Sequence, residues 1–244
     1  MKNRTVRCQL AFLLLLLLLA ILAAVSFGVG SVSLSLRDIQ AILTGADRES
    51  TAFHILWDIR LPRLLVAALL GGALSVSGFL LQTFFANPIA GPFVLGISSG
   101  AKLVVALVMI LFLGKGLFMG SAAMILAAFA GSMISMGFVL AIARRVRQMS
   151  VLVVCGVMIS YICSAVTDFV VTFADDSNIV NLHNWSMGSF SGTTWDQVQV
   201  MAAVVLPIFL LSFCMAKPIG AYQLGEAYAR SLGVNVKRFR AELI

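Results

Sequence analysis

The stretch LAFLLLLLLLAILAAVSFGV, residues 10–29, runs for 20 residues without a charge. As a helix rising 1.5 Å per residue it is about 30 Å long, the thickness of a bilayer's hydrocarbon core. Lys2, Arg4 and Arg7 precede it. A basic start and a leucine run resemble a secretory signal, but at 20 residues the run is longer than a signal's apolar core. The reading is therefore a first membrane helix that is retained. From this stretch outward, comparable apolar blocks recur at residues 64–85, 117–143, 151–174 and 198–216, with a shorter one at 101–113. The chain is expected to be an all-α polytopic bundle of about six spans.

Composition leads to the same class. Hydrophobic residues make up 61% of the 244 and charged ones 11%, with a mean hydropathy of +1.04, too little polar surface for a soluble domain of this length. The net charge of +7 does not point to nucleic acid. No basic patch is interleaved with aromatic residues, and the lysines and arginines sit at the ends of apolar blocks. The cysteines (Cys8, Cys155, Cys163, Cys214) lie within or beside those blocks without C-x-x-C spacing and read as small hydrophobes.

Charge placement predicts orientation. With the N-terminus inside, the inner segments hold Lys2, Arg4, Arg7, Arg144, Arg145, Arg147, Lys217, Arg230, Lys237, Arg238 and Arg240 against Glu226 and Glu242. The outer segments hold Arg37, Arg48, Arg60, Arg63 and Lys115 against Asp38, Asp47, Glu49, Asp58, Asp175, Asp176 and Asp196. Cations concentrate on the cytoplasmic side of membrane proteins, so both ends are expected to be cytoplasmic. Residues 31–63 read as amphipathic and too polar to span. Residues 87–100, NPIAGPFVLGISSG, break helical periodicity without one charge and suit backbone buried inside a membrane protein.

Few residues offer chemistry. Asp168 lies within about two turns of the outer end of its block, where it reaches the interface. Lys102 begins a short helix and can snorkel. Neither makes an ion-coupling relay of the kind that mid-membrane charges form, so energy for any transport has to come from elsewhere. His54 and His183 are isolated on outer segments, and phosphate-loop, nucleophile-elbow and zinc-protease motifs do not occur. No cofactor or catalytic residue is expected. Gly71, Ser75 and Gly78 at i, i+4 and i+7 make a flat face that admits another helix closely. The tail after residue 216 reads as a short amphipathic helix, a glycine break and a basic segment.

Three stretches together resemble one family: Arg60-Leu-Pro-Arg63 leading into the glycine-rich second block, Asn87-Pro88 through Leu95-Gly96, and LGEAYARSLGV at residues 224–234. WSMGSFSGTTW, residues 185–195, fits as well. They resemble the permease subunit of ABC importers for iron-siderophores, haem and vitamin B12, the FecCD-type or B12-permease-like family, over essentially the whole chain. The resemblance implies a subunit of ten transmembrane helices. Residues 1–244 would then be its N-terminal part, helices 1–6, with 217–244 the cytoplasmic coupling segment and four further spans missing, as in a fragment or a truncated gene product.

By position, the resemblance implies that Leu224, Gly225, Glu226, Ala229, Arg230, Leu232 and Gly233 form coupling helices that dock on an ATPase subunit. Asn87 and Ile89 match a cytoplasmic gate loop. Met149 and Ser150 match a second gate, where the family has small hydroxyl residues and Met149 is bulkier. The implied setting is a bacterial cytoplasmic membrane. The implied partners are an ABC ATPase, an extracytoplasmic substrate-binding protein, a second permease subunit (identical or paralogous) and the lipid bilayer, with no nucleic acid. The implied cargo is a ferric siderophore, with haem and B12 behind it. Two other readings stay open at this point: a secondary carrier that needs no ATPase, and a non-transporting remnant of a permease.

Overall fold

A computed structural model describes residues 2–30, 32, 50–113, 121–143, 149–236 and 238–239. The described residues form helices and turns. They are α1 (Lys2–Gly28), α2 (Thr51–Phe84), α3 (Ile97–Val108, extended by a π-helical Met109–Leu113), α4 (Ser121–Ala143), α5 (Met149–Val171), α6 (Asp176–Met187), α7 (Trp195–Cys214), α8 (Ala216–Gln223) and α9 (Glu226–Ser231). Five of them, α1, α2, α4, α5 and α7, contain stretches long and apolar enough to cross a bilayer. The expected block at 101–113 is the shorter apolar helix Ile97–Leu111, about 22 Å long. The chain divides into two units, residues 1–72 with 190–208 and residues 73–189 with 209–244.

In the first unit, α1 is apolar on all sides and none of its spanning window is buried against the chain. Leu13, Leu14, Leu16 and Leu19 are all exposed, a surface that only lipid or another apolar chain satisfies. Arg60 holds its far end. The guanidinium donates to the carbonyls of Phe27 and Val32; Phe27 lies in the last turn of α1, whose final carbonyls have no helical partner.

α2 starts earlier than its apolar block. Ser50 caps it, its Oγ accepting from the Phe53 amide at 3.2 Å, so residues 51–63, expected to be a polar connection, continue the span. The whole helix has 34 residues, about 50 Å, which exceeds the hydrocarbon core. A proline inside a helix removes an amide and clashes with the preceding turn. Here the turn before Pro62 widens into a π-helix, Ile55–Arg60, and the Leu61 amide bonds back five residues to Leu56. The Leu61 amide is thus engaged at Leu56, and position 62, the π-helical partner of the Trp57 carbonyl, has no N–H. The indole of Trp195, at the start of α7, donates to that carbonyl at 3.0 Å, with the two ring centroids 5.5 Å apart.

In the second unit, α3, α4 and α5 meet along glycines. A Cβ on Gly100 would lie 2.6 Å from the Gly131 carbonyl oxygen, and one on Gly156 would lie 2.8 Å from Cα of Leu95. Hydroxyls bridge the same seam, Ser135 Oγ to the Gly96 carbonyl at 2.8 Å and Ser99 to Ser160 at 2.7 Å. A Cβ on Gly71 or Gly78 meets no described atom of another element within 4 Å. Among the described residues the close helix approach is made at Gly96, Gly100, Gly131 and Gly156.

Candidate coupling and gate region

The second unit has a hydrophobic knot that gathers segments far apart in sequence. It contains Leu81 and Phe84 from the end of α2, Phe85, Ala90 and Leu95 from the turn after it, and Met136 and Val139 from α4. Leu152 and Val153 of α5 join it, as do Ile219, Tyr222, Ala229, Val236 and Phe239 from the tail. Phe85, Ala90, Leu95 and Ala229 are fully buried, so the turn and the tail are anchored in one core.

The turn begins with a helix stop of the Schellman kind. The Asn87 amide bonds to Gln82 O at 3.0 Å and the Ala86 amide to Thr83 O at 3.2 Å, the paired bonds that close a helix over one left-handed residue. That residue is Ala86, at φ 47°. Glycine is the usual occupant because a Cβ in this region costs about 1–2 kcal/mol. Asn87 Oδ1 then accepts from the Ile89 amide at 2.9 Å, a side-chain turn that shapes the next step. Ile89 and Phe93 are left with 68% and 76% of their surface exposed.

The tail is punctuated by two glycines. Gly225, at φ 115°, separates α8 from α9, and Gly233, at φ 83°, ends α9. Gly233 closes a second Schellman stop, with Val234 N bonded to Ala229 O and Gly233 N to Arg230 O, both at 3.0 Å. Ala229 faces inward. Glu226 and Arg230 pair along α9 at 3.5 Å, and the Tyr222 hydroxyl reaches Glu226 Oε1 at the same distance. Leu224 before the Gly225 break, Tyr228 on α9 and Leu232 at its C-cap are exposed by 70%, 48% and 60%.

Two of the expected groups therefore come together. Asn87 of the gate expectation and Gly225 and Glu226 of the coupling expectation line one cleft of about 410 Å³, with Gln82, Thr83, Ala86, Tyr222 and Gln223 among the other walls. Met149 and Ser150 begin α5; their side chains lie outside the described residues, and their helix enters the knot three residues later through Leu152. Sequence reasoning passed over Thr83, Ala86, Tyr222, Gln223 and Tyr228. Only Tyr228 left a signal there, as a large apolar residue four positions from both Leu224 and Leu232. Asp168 is exposed near the end of α5, and His54 pairs with Asp58 at 2.8 Å. Among the described residues no group of three or more His, Cys, Asp or Glu is placed to hold a metal ion.

Known proteins resemble this chain throughout. The profile of the FecCD transport family matches residues 16–244. The hemin transport system permease protein HmuU of Yersinia pestis is 33% identical over 243 residues, covering 99% of this chain and 72% of that protein. The vitamin B12 import system permease protein BtuC of Serratia proteamaculans is 36% identical over 230 residues, 94% of this chain and 66% of that protein. For BtuC of Salmonella typhi the figures are 38% over 188 residues, 77% and 56%. The chain thus spans between about half and three quarters of these relatives' lengths. A solved structure of a metal-chelate type ABC transporter, facing inward, superposes with a TM-score of 0.76 at 24% identity. It covers 94% of this chain and 69% of that one, so the two chains share one fold.

Proposed function

We infer that this chain, which belongs to the FecCD transport family, is membrane-embedded permease of an ABC importer that moves a metal-bearing chelate into the cell. It is not itself an enzyme: hydrolysis belongs to a separate ABC ATPase, in keeping with spans that carry no charge relay. The observation that carries this reading is the tail. Leu224, Tyr228 and Leu232 are exposed before, on and just after the short, glycine-bounded α9, whose Ala229 is buried in the same core as the turn after α2. Apolar side chains exposed on a segment that follows the last span suit contact with a protein partner, and a short helix suits docking into a groove on it.

The cytoplasmic side is assigned to the tail by the charge asymmetry, which puts the N-terminus there too. The opposite mouth receives cargo from an extracytoplasmic binding protein, and a second permease subunit completes the path between the two mouths. ATP-driven movement of the ATPase reaches the tail and, through the knot, the turn at Asn87 and Ile89, which serves as gate. Met149 and Ser150 form the facing gate position. Alternating access then follows from rigid-body rearrangement around a central path, as in transporter bundles generally. The relatives named for hemin and vitamin B12 favour a haem or a cobalamin as cargo. Ferric siderophore, the first expectation, has no counterpart among them.

Uptake decides the matter. Cells with and without the intact gene are compared for accumulation of labelled hemin, cobalamin and ferric siderophore. Gene-dependent uptake of one of them supports the reading, and uptake of none, with the protein present in the membrane, refutes it.

A further inference from the structure

The cleft beside the knot brings Thr83 and Gln223, 140 positions apart, into direct polar contact: Gln223 Nε2 donates to Thr83 Oγ1 at 3.1 Å. Thr83 is buried at 4% exposure, whereas Gln223, the last residue of α8, is exposed. Each stands on the final helical turn before a break in its own segment. Thr83 also supplies the carbonyl that closes the stop at Ala86, and two residues after Gln223 comes Gly225, at φ 115°.

The apolar contacts of the knot hold turn and tail together but are non-directional, so packed side chains can slide across one another. A hydrogen bond has a fixed length and angle and sets register. The turn it reaches is held in a sparsely populated backbone conformation at Ala86, the kind of strained element that a small displacement can tip.

We propose that Thr83 and Gln223 are a positioning pair that fixes the register of the tail against the Ala86–Asn87 turn, so that movement of the tail displaces the turn instead of slipping past it. The proposal rests on the reading of the tail as the ATPase contact. It predicts uncoupling when the pair is broken: the ATPase still docks and hydrolyses, and cargo movement lags.

The assembled transporter, with its ATPase and binding protein in lipid vesicles, is assayed for labelled hemin or cobalamin uptake per ATP hydrolysed, using whichever the wild type carries. Thr83→Val and Gln223→Leu are each expected to lower that ratio at least threefold, and the double variant no further than the worse single one. Thr83→Ser, which keeps the hydroxyl, is expected to retain the wild-type ratio. An unchanged ratio in Gln223→Leu overturns the proposal. Because Gln223 is exposed, that variant is informative even where Thr83→Val fails to assemble. Additive losses in the double variant overturn it as well, since the two side chains would then act separately. Failure of the underlying reading looks different: the wild-type permease would neither retain the ATPase on purification nor alter its hydrolysis.

Discussion

Ala86 carries a conformation that its side chain opposes. Replacing it by glycine removes the Cβ penalty of the left-handed region at some cost in unfolded-state entropy, and the net is a stabilisation of up to about 1 kcal/mol. Thermal unfolding of the purified protein in detergent checks this; a fall in midpoint would show that the φ of 47° is not strained. The reverse logic applies at Gly233, where φ is 83°. Gly233→Leu is expected to deform the end of α9, and Glu226→Lys to place a second cation beside Arg230. In the complete permease both should abolish cargo-stimulated ATP hydrolysis while leaving membrane insertion intact. Stimulation that survives both changes would remove the docking role from α9. Trp195→Phe withdraws the one donor seen at the Trp57 carbonyl and should cost about 1 kcal/mol, read as a lower unfolding midpoint.

Among the helices, the two sets of small residues make opposite predictions. Gly131→Ala puts a methyl group onto the Gly100 backbone, and forcing α3 and α4 apart should cost about 1–3 kcal/mol. Gly71→Ala and Gly78→Ala meet no atom within 4 Å, and should be neutral or stabilising by about 0.5–1 kcal/mol in the isolated chain, since alanine is the better helix former. Thermostability of fluorescent fusions in detergent compares the three directly. Both stripes look alike in sequence, small residues at helical spacing. What separates them is which face of each helix a neighbour occupies, and one helix's own residues do not encode that. The length of α2 was hidden for a related reason: the charges in residues 51–63 read as a connection, and only the Ser50 cap and the π-helical turn ahead of Pro62 carry the helix through them.

At the scale of the whole molecule, orientation is the exposed prediction. A reporter active only in the cytoplasm, fused before Lys2 or after the tail, is expected to be active at both ends, as an even number of crossings requires if the shorter α3 crosses along with the five long helices; activity at one end alone would break that topology. Apolar blocks, their basic flanks and the uncharged NPIAGPFVLGISSG turn were all legible in the sequence. Hydrocarbon thickness sets block length, and the cost of burying charge sets where blocks end, so membrane class and span order follow from local composition, while the family rested on the resemblance of a few short motifs. The clustering of Asn87 with Glu226, the bond between Thr83 and Gln223, the anchoring of Ala90 and Ala229 in one knot and the glycine seam of α3, α4 and α5 were decided only by tertiary structure. Those contacts join residues scores of positions apart through packing that depends on shape and distance, and a linear pattern of apolar and polar residues specifies neither.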